Sequence, residues 1–139
     1  LDQSSAAALV DAMAVSIEIV DSRWQQGLAA PALLRLADLA SHAALVLGEW
    51  VPYAPRDWSA QECRLVIGAQ APLMRRGTHS CGDPAFVLPD WLRHASVRHG
   101  TLPAGTVVST GTWAGAPAAT PGDAVRLEFP GIGMASTHF

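Results

Sequence analysis

Ser16-Ile17-Glu18-Ile19-Val20-Asp21-Ser22-Arg23 is the stretch on which the reading of this chain turns. Its first six residues are rich in β-branched side chains and alternate, which is the pattern of a strand. On a strand Ile17, Ile19 and Asp21 face one way, and Ser16, Glu18 and Val20 the other. A carboxylate thus leaves an apolar strand on the face opposite two isoleucines. Such a group either makes an ion pair, with Arg23 or Arg35 as partner, or serves chemistry.

Working outward, the stretch 4–15 is alanine-rich with apolar Leu9, Val10 and Met13, and predicts a helix capped by Ser4 or Ser5. Residues 25–30 read as loop, and 31–40 as one or two helical turns opened by Pro31. Residues 43–47 form a short buried strand or helix end, closed by Gly48, and 51–59 are loop-like. Strands are expected at 61–67, at 73–76 as its hairpin partner, at 106–110, at 123–129 and at 134–139. A Gly-rich polar loop spans 77–84. A helix over 86–99 tolerates Pro89 in its first turn and ends at Gly100. The expected fold is a mixed α/β, β-rich single domain with two or three helices.

Composition narrows the class. The chain has 139 residues, half of them hydrophobic and 15% charged, which suits one globular domain. The net charge is −3 and the only basic pair is Arg75-Arg76, so nucleic acid is not an expected partner. No apolar run is long enough to span a bilayer, and residues 1–7 carry no basic cluster of the signal-peptide kind. The two cysteines lack metal-ligand spacing and are expected as free thiols in a reducing, cytoplasmic setting. Lysine and asparagine are both absent, which removes Schiff-base and P-loop chemistry from this chain.

The five histidines are scattered, and His94 and His99, five apart, do not share a helix face. His79-Ser80-Cys81 has the residue types of a Cys–His nucleophile pair but no evident third residue to orient it. Ser41-His42 has the same shortcoming. The five tryptophans are expected in core and interface packing.

Three segments, in order, resemble the hydratase and decarboxylase branch of the fumarylacetoacetate hydrolase superfamily, which includes 2-keto-4-pentenoate hydratases and 4-oxalocrotonate decarboxylases. The first is the strand ending Asp21-Ser22-Arg23. The second is Ala37-Asp38-Leu39-Ala40-Ser41 running on to Val46-Leu47-Gly48. The third runs from Gly82-Asp83-Pro84 through Trp91-Leu92 and Gly100 to Gly105, then Thr110-Gly111-Thr112 and Pro121-Gly122-Asp123. The resemblance implies the superfamily's mixed β-sheet fold and a lyase of aromatic catabolism acting on a small 2-keto or 2-hydroxydienoate acid. It implies Mg²⁺ or Mn²⁺ held by three carboxylates, of which Glu18 matches one. A hard cation on oxygen ligands withdraws charge from a substrate oxygen. The other two ligands belong to a Glu-x-Glu motif expected before residue 4, and the catalytic residues, a lysine among them, are expected upstream of residue 1.

The same resemblance places Thr110, Gly111 and Thr112 at a substrate carboxylate, and Asp21 and Arg23 as structural residues near the site, with Arg23 bracing the strand by pairing with Asp21 or Asp38. Leu39 departs from the family, which tends to carry asparagine there. On this view the chain is the C-terminal part of a catalytic domain and a homo-oligomer. Alternatives are an acylpyruvate hydrolase of the same superfamily, or a catalytically incomplete paralogue acting as an assembly module.

Overall fold

The computed structural model describes all residues, 1–139. Alternation sets the centre of the molecule. In β5 (Glu62–Ile67) Cys63, Leu65 and Ile67 are buried, while the residues between them are not. β7 (Ala124–Phe129) buries Val125 and Phe129 in the same way. The two strands pair antiparallel with Leu65 opposite Leu127 and Ile67 opposite Val125, so one face of the sheet is apolar. β6 (Leu73–Arg76) and β8 (Gly133–His138) flank them in the order β6-β5-β7-β8. The outer face carries Arg64, Arg126 and Glu128, the usual partition of a sheet wetted on one side.

A second layer is a two-stranded ribbon. β2 (Ser16–Val20) pairs antiparallel with β3 (His42–Leu47), with Glu18 opposite Leu45. Ile17 packs against both apolar clusters of the large sheet, whereas Glu18 on the other face of the strand is exposed. The ribbon meets β8 at Gly48. A Cβ there would lie 2.1 Å from the carbonyl oxygen of Met134, so only glycine allows this approach. A short pair of β1 (Ala12–Met13) and β4 (Val51–Pro52) continues alongside.

Helices cover the ends. α1 (Gln3–Ala7) rests by Ala6 on Ala85 and Leu88, at the start of α3 (Leu88–His99). α3 carries Pro89 in its first turn and stops at Gly100, φ 70°, where a left-handed residue closes the last turn. α2 (Ala32–Ala37) is an exposed six-residue turn after Pro31.

Four expectations fail. The helix foreseen over 4–15 ends at Ala7, because Ala12-Met13 finds a strand partner in Val51-Pro52; its cap is Asp2, which accepts from the Ser5 N–H, and not a serine. Residues 51–59 are accordingly not all loop. The strand foreseen at 106–110 does not form: the segment has no paired neighbour, and the Thr106 hydroxyl turns back to the Pro103 carbonyl at 2.6 Å. Residues 43–47 resolve as strand rather than helix end.

Candidate active site

A cleft of about 900 Å³ opens between the ribbon and the large sheet. Its floor is the apolar face carrying Leu65, Ile67, Val125 and Phe129. One wall is β2 and the residues after it, including Glu18 and Asp21. The opposite wall is the irregular stretch from Val108 to Ala119, which contributes Thr110, Gly111 and Thr112. Sequence-distant groups therefore converge on one apolar-floored hollow with a few polar groups at its rim, the usual make-up of a small-molecule site.

Glu18 makes neither of the ion pairs considered from the sequence. Its partner is His42, whose Nδ1 lies 2.9 Å from Oε1. His42 stands opposite Val20 on β3, so it reaches Glu18 diagonally across the ribbon on the shared face. Both side chains are substantially exposed. Asp21 lines the cleft, and its backbone N–H donates to the Ser41 carbonyl at 2.9 Å.

Arg23 does not line the cleft. Its guanidinium grips Asp38, with Nη1 at 2.7 Å from Oδ1, and donates from Nη2 to the His42 carbonyl at 2.7 Å. The Arg23 N–H and the Ser22 hydroxyl also donate to Asp38. These donors, the Arg23 side chain foremost, hold the Asp38 carboxyl below its ordinary value of 3.8. The pair ties the end of β2 to the segment preceding β3. That segment is unusual: Leu39, Ala40 and Ser41 are consecutive non-glycine residues at φ 52°, 57° and 67°. Side chains disfavour this left-handed region, and the Asp38 network holds the chain in it.

On the opposite wall the Thr112 hydroxyl is consumed locally. It accepts from the N–H groups of Ala114 and Gly115 at 3.2 and 3.1 Å, which closes the turn after the cleft. The Thr110 hydroxyl and the Gly111 N–H have no partner within the protein. Gly111, at φ 139°, leaves no room for a side chain: a Cβ would sit 2.6 Å from Ser80 Oγ and 2.7 Å from His79 Nε2.

The 77–84 loop is thus part of the site, which the sequence reading had set aside. It is not a Cys–His nucleophile. His79 Nδ1 accepts from the Cys81 backbone N–H at 3.1 Å, not from the thiol. The His79 ring is buried against Trp113, centroids 4.5 Å apart, and burial pushes its pKa below 6.5. Both cysteines are free.

Hard carboxylate oxygens suit Mg²⁺, and Glu18 carries them on the exposed face of β2, beside His42. Within these residues, however, no three His, Cys, Asp or Glu side chains group to hold a metal ion. The donor set present is short of a divalent-cation site, and no chemical step is routed through a metal here. No helix is long and apolar enough to cross a membrane.

Comparison with known proteins agrees with this fold. Two solved structures of the 4-oxalocrotonate decarboxylase from Pseudomonas putida G7 superimpose on the chain. One, complexed with calcium and acetate, gives a TM-score of 0.80 at 22% identity, covering 99% of this chain and 51% of that one. The other, complexed with magnesium and adipate, gives 0.83 at 22% identity, covering 99% and 52%. The chain therefore spans about half the length of these structures. No curated protein matches by sequence. The family described as fumarylacetoacetate (FAA) hydrolase, C-terminal, matches residues 1–139, and the chain belongs to that family.

Proposed function

We propose that this chain forms the C-terminal part of the catalytic domain of a metal-dependent lyase acting on small 2-keto acids, with decarboxylation of an oxalocrotonate-like dicarboxylate or hydration of a 2-hydroxydienoate as its reaction. One observation supports the reading: Glu18 and the Thr110-Gly111-Thr112 loop both belong to the walls of a single cleft. The decarboxylase structures with the same fold, one holding magnesium and adipate, favour a divalent cation and a small acid as the ligands.

The roles follow from the chemistry of the groups. Glu18 serves as one metal ligand and is completed by carboxylates outside these residues. His42 engages only Oε1, which leaves Glu18 Oε2 free for a cation. The unpartnered Thr110 hydroxyl and Gly111 N–H receive the substrate carboxylate, and the apolar floor keeps water from the reacting carbons. Asp21 and Arg23 hold the wall in place. We infer a homo-oligomer as well, with exposed apolar side chains such as Leu33, Leu36 and Val97, 80%, 71% and 84% exposed, available for contact.

A titration with Mn²⁺ and oxalate, a planar 2-keto acid mimic, followed by tryptophan fluorescence, on this chain joined to the segment that carries the completing carboxylates, tests this. Saturable, metal-dependent oxalate binding that disappears in Glu18→Ala is the expected result. Equal binding by the variant, or none by the wild-type protein, sinks the reading.

A further inference from the structure

The loop behind Gly111 contains a donor that the proposed site does not yet use. Ser80 lines the same cleft as Thr110 and Gly111. Its Oγ accepts from the Thr112 N–H at 3.4 Å, a long bond. Its own hydrogen has no oxygen or nitrogen acceptor; the nearest candidate is Cys81 Sγ at 4.0 Å. A hydroxyl that accepts weakly and donates to nothing, at the rim of a cleft with further unpartnered donors, is arranged to receive an anion.

Its position is fixed from three sides. The Ser80 N–H donates to the Thr112 carbonyl at 3.0 Å, and the Thr78 hydroxyl donates to the Trp113 carbonyl at 2.8 Å. These bonds clip the 77–84 loop to the 110–113 wall. Behind them His79 is 5% exposed, with its Nδ1 engaged by the Cys81 N–H. Its Nε2 is buried against Gly111 and interacts with the Thr110 backbone without a well-formed hydrogen bond. The imidazole thus braces the backbone that would meet the ligand.

Resting on the 2-keto acid reading above, we propose that Ser80 is a further ligand-binding residue of the cleft, donating its hydroxyl to the ligand carboxylate beside Thr110 and Gly111, and that His79 is the residue that positions it. Ser80 completes a receptor made wholly of neutral donors. The Thr112 N–H, now held only by the long bond to Ser80, turns to the same anion as the serine does.

The test is an oxalate titration at saturating Mn²⁺, with the segment that carries the completing carboxylates present, on the wild-type protein, Ser80→Ala, Ser80→Thr, His79→Asn and His79→Ala, beside a titration with Mn²⁺ alone read by the resonance of the free ion. Losing one charge-assisted hydrogen bond raises the oxalate Kd about tenfold in Ser80→Ala, and the Mn²⁺ affinity stays within about twofold. Ser80→Thr restores oxalate binding. His79→Asn, whose Oδ1 can accept from the Cys81 N–H, stays close to wild type, while His79→Ala falls with Ser80→Ala. Unchanged oxalate affinity in Ser80→Ala, with wild-type binding intact, overturns this assignment alone. Loss of Mn²⁺ affinity in parallel with oxalate also overturns it, since that marks general damage. Failure of the wild-type protein to bind oxalate removes the 2-keto acid reading and this assignment together.

Discussion

The four-stranded sheet and the irregular 108–119 wall enclose the same cleft and are held in different ways. The sheet is fixed by alternation: Cys63, Leu65, Ile67, Val125 and Phe129 all turn to one side and pack there. Its central strands β5 and β7 each pair with two neighbours, so the middle of the sheet is held from both sides as well as by burial. The wall has no ladder. A few bonds to the 77–84 loop, the Thr112 turn and the stack of Trp113 on His79 and Phe129 keep it in place. The difference teaches where stability and binding reside. The sheet can lose little without unfolding, and the wall can change its ligand contacts while the fold stands.

The largest effect expected from breaking this contrast is on the sheet. Phe129→Ala removes a buried ring that also meets Trp113 edge-on at 5.1 Å. A loss of about 3 kcal/mol is expected in urea unfolding, typical of a buried aromatic truncated to alanine. Next comes the seam between ribbon and sheet. Gly48→Ala forces a methyl against the Met134 carbonyl, at a cost of about 2 kcal/mol, seen as a lower urea midpoint.

Gly111→Ala sharpens the comparison from the other side. Its methyl displaces Ser80 and His79, and oxalate affinity falls about tenfold while stability falls by less than about 1 kcal/mol. An equal or larger loss of stability than in Gly48→Ala would erase the distinction between scaffold and wall.

A smaller effect is tied to acid. Burial holds the folded-state pKa of His79 below its ordinary value of 6.5, so the unfolded chain takes up a proton first as pH falls. The neutral imidazole is accommodated in full above pH 6.5, and stability declines as pH drops from there through the folded value. Unfolding midpoints on either side of 6.5 differ in this direction for wild type, and the difference narrows in His79→Asn. The smallest change is a gain. Leu39 is 70% exposed and left-handed, so Leu39→Asn relieves backbone strain without losing packing and stabilises by about 0.5 kcal/mol in the same assay.

Much of the sheet was legible because alternation is local. Residues 62–67, 73–76 and 124–129 carry it in sequence, and Gly100 announces the end of α3. What failed did so for lack of a partner or the unforeseen presence of one. Thr106 to Thr110 has strand composition but nothing to pair with, and Ala12-Met13 has helix composition but a strand neighbour. The site divides in the same way. Glu18 stood out as a carboxylate on an apolar strand. Its partner His42 depends on ribbon register, and the role of His79 and Ser80 depends on two loops meeting across 32 positions. The run of small and polar residues before Gly82-Asp83-Pro84 was the available signal; a Cys–His nucleophile was weighed there and set aside, and a hydroxyl donor was not considered.

The aromatic packing under the cleft has an optical consequence. Trp58 and Trp113 lie 5.9 Å apart with their planes tilted by 56°. Two indoles this close and this skewed couple their electronic transitions and rotate polarised light as a pair. The far-ultraviolet dichroism of the protein then carries a signal from one pair of side chains on top of its backbone. Secondary-structure content deduced from that spectrum will misjudge the strands until either ring is replaced by phenylalanine and the spectrum is taken again.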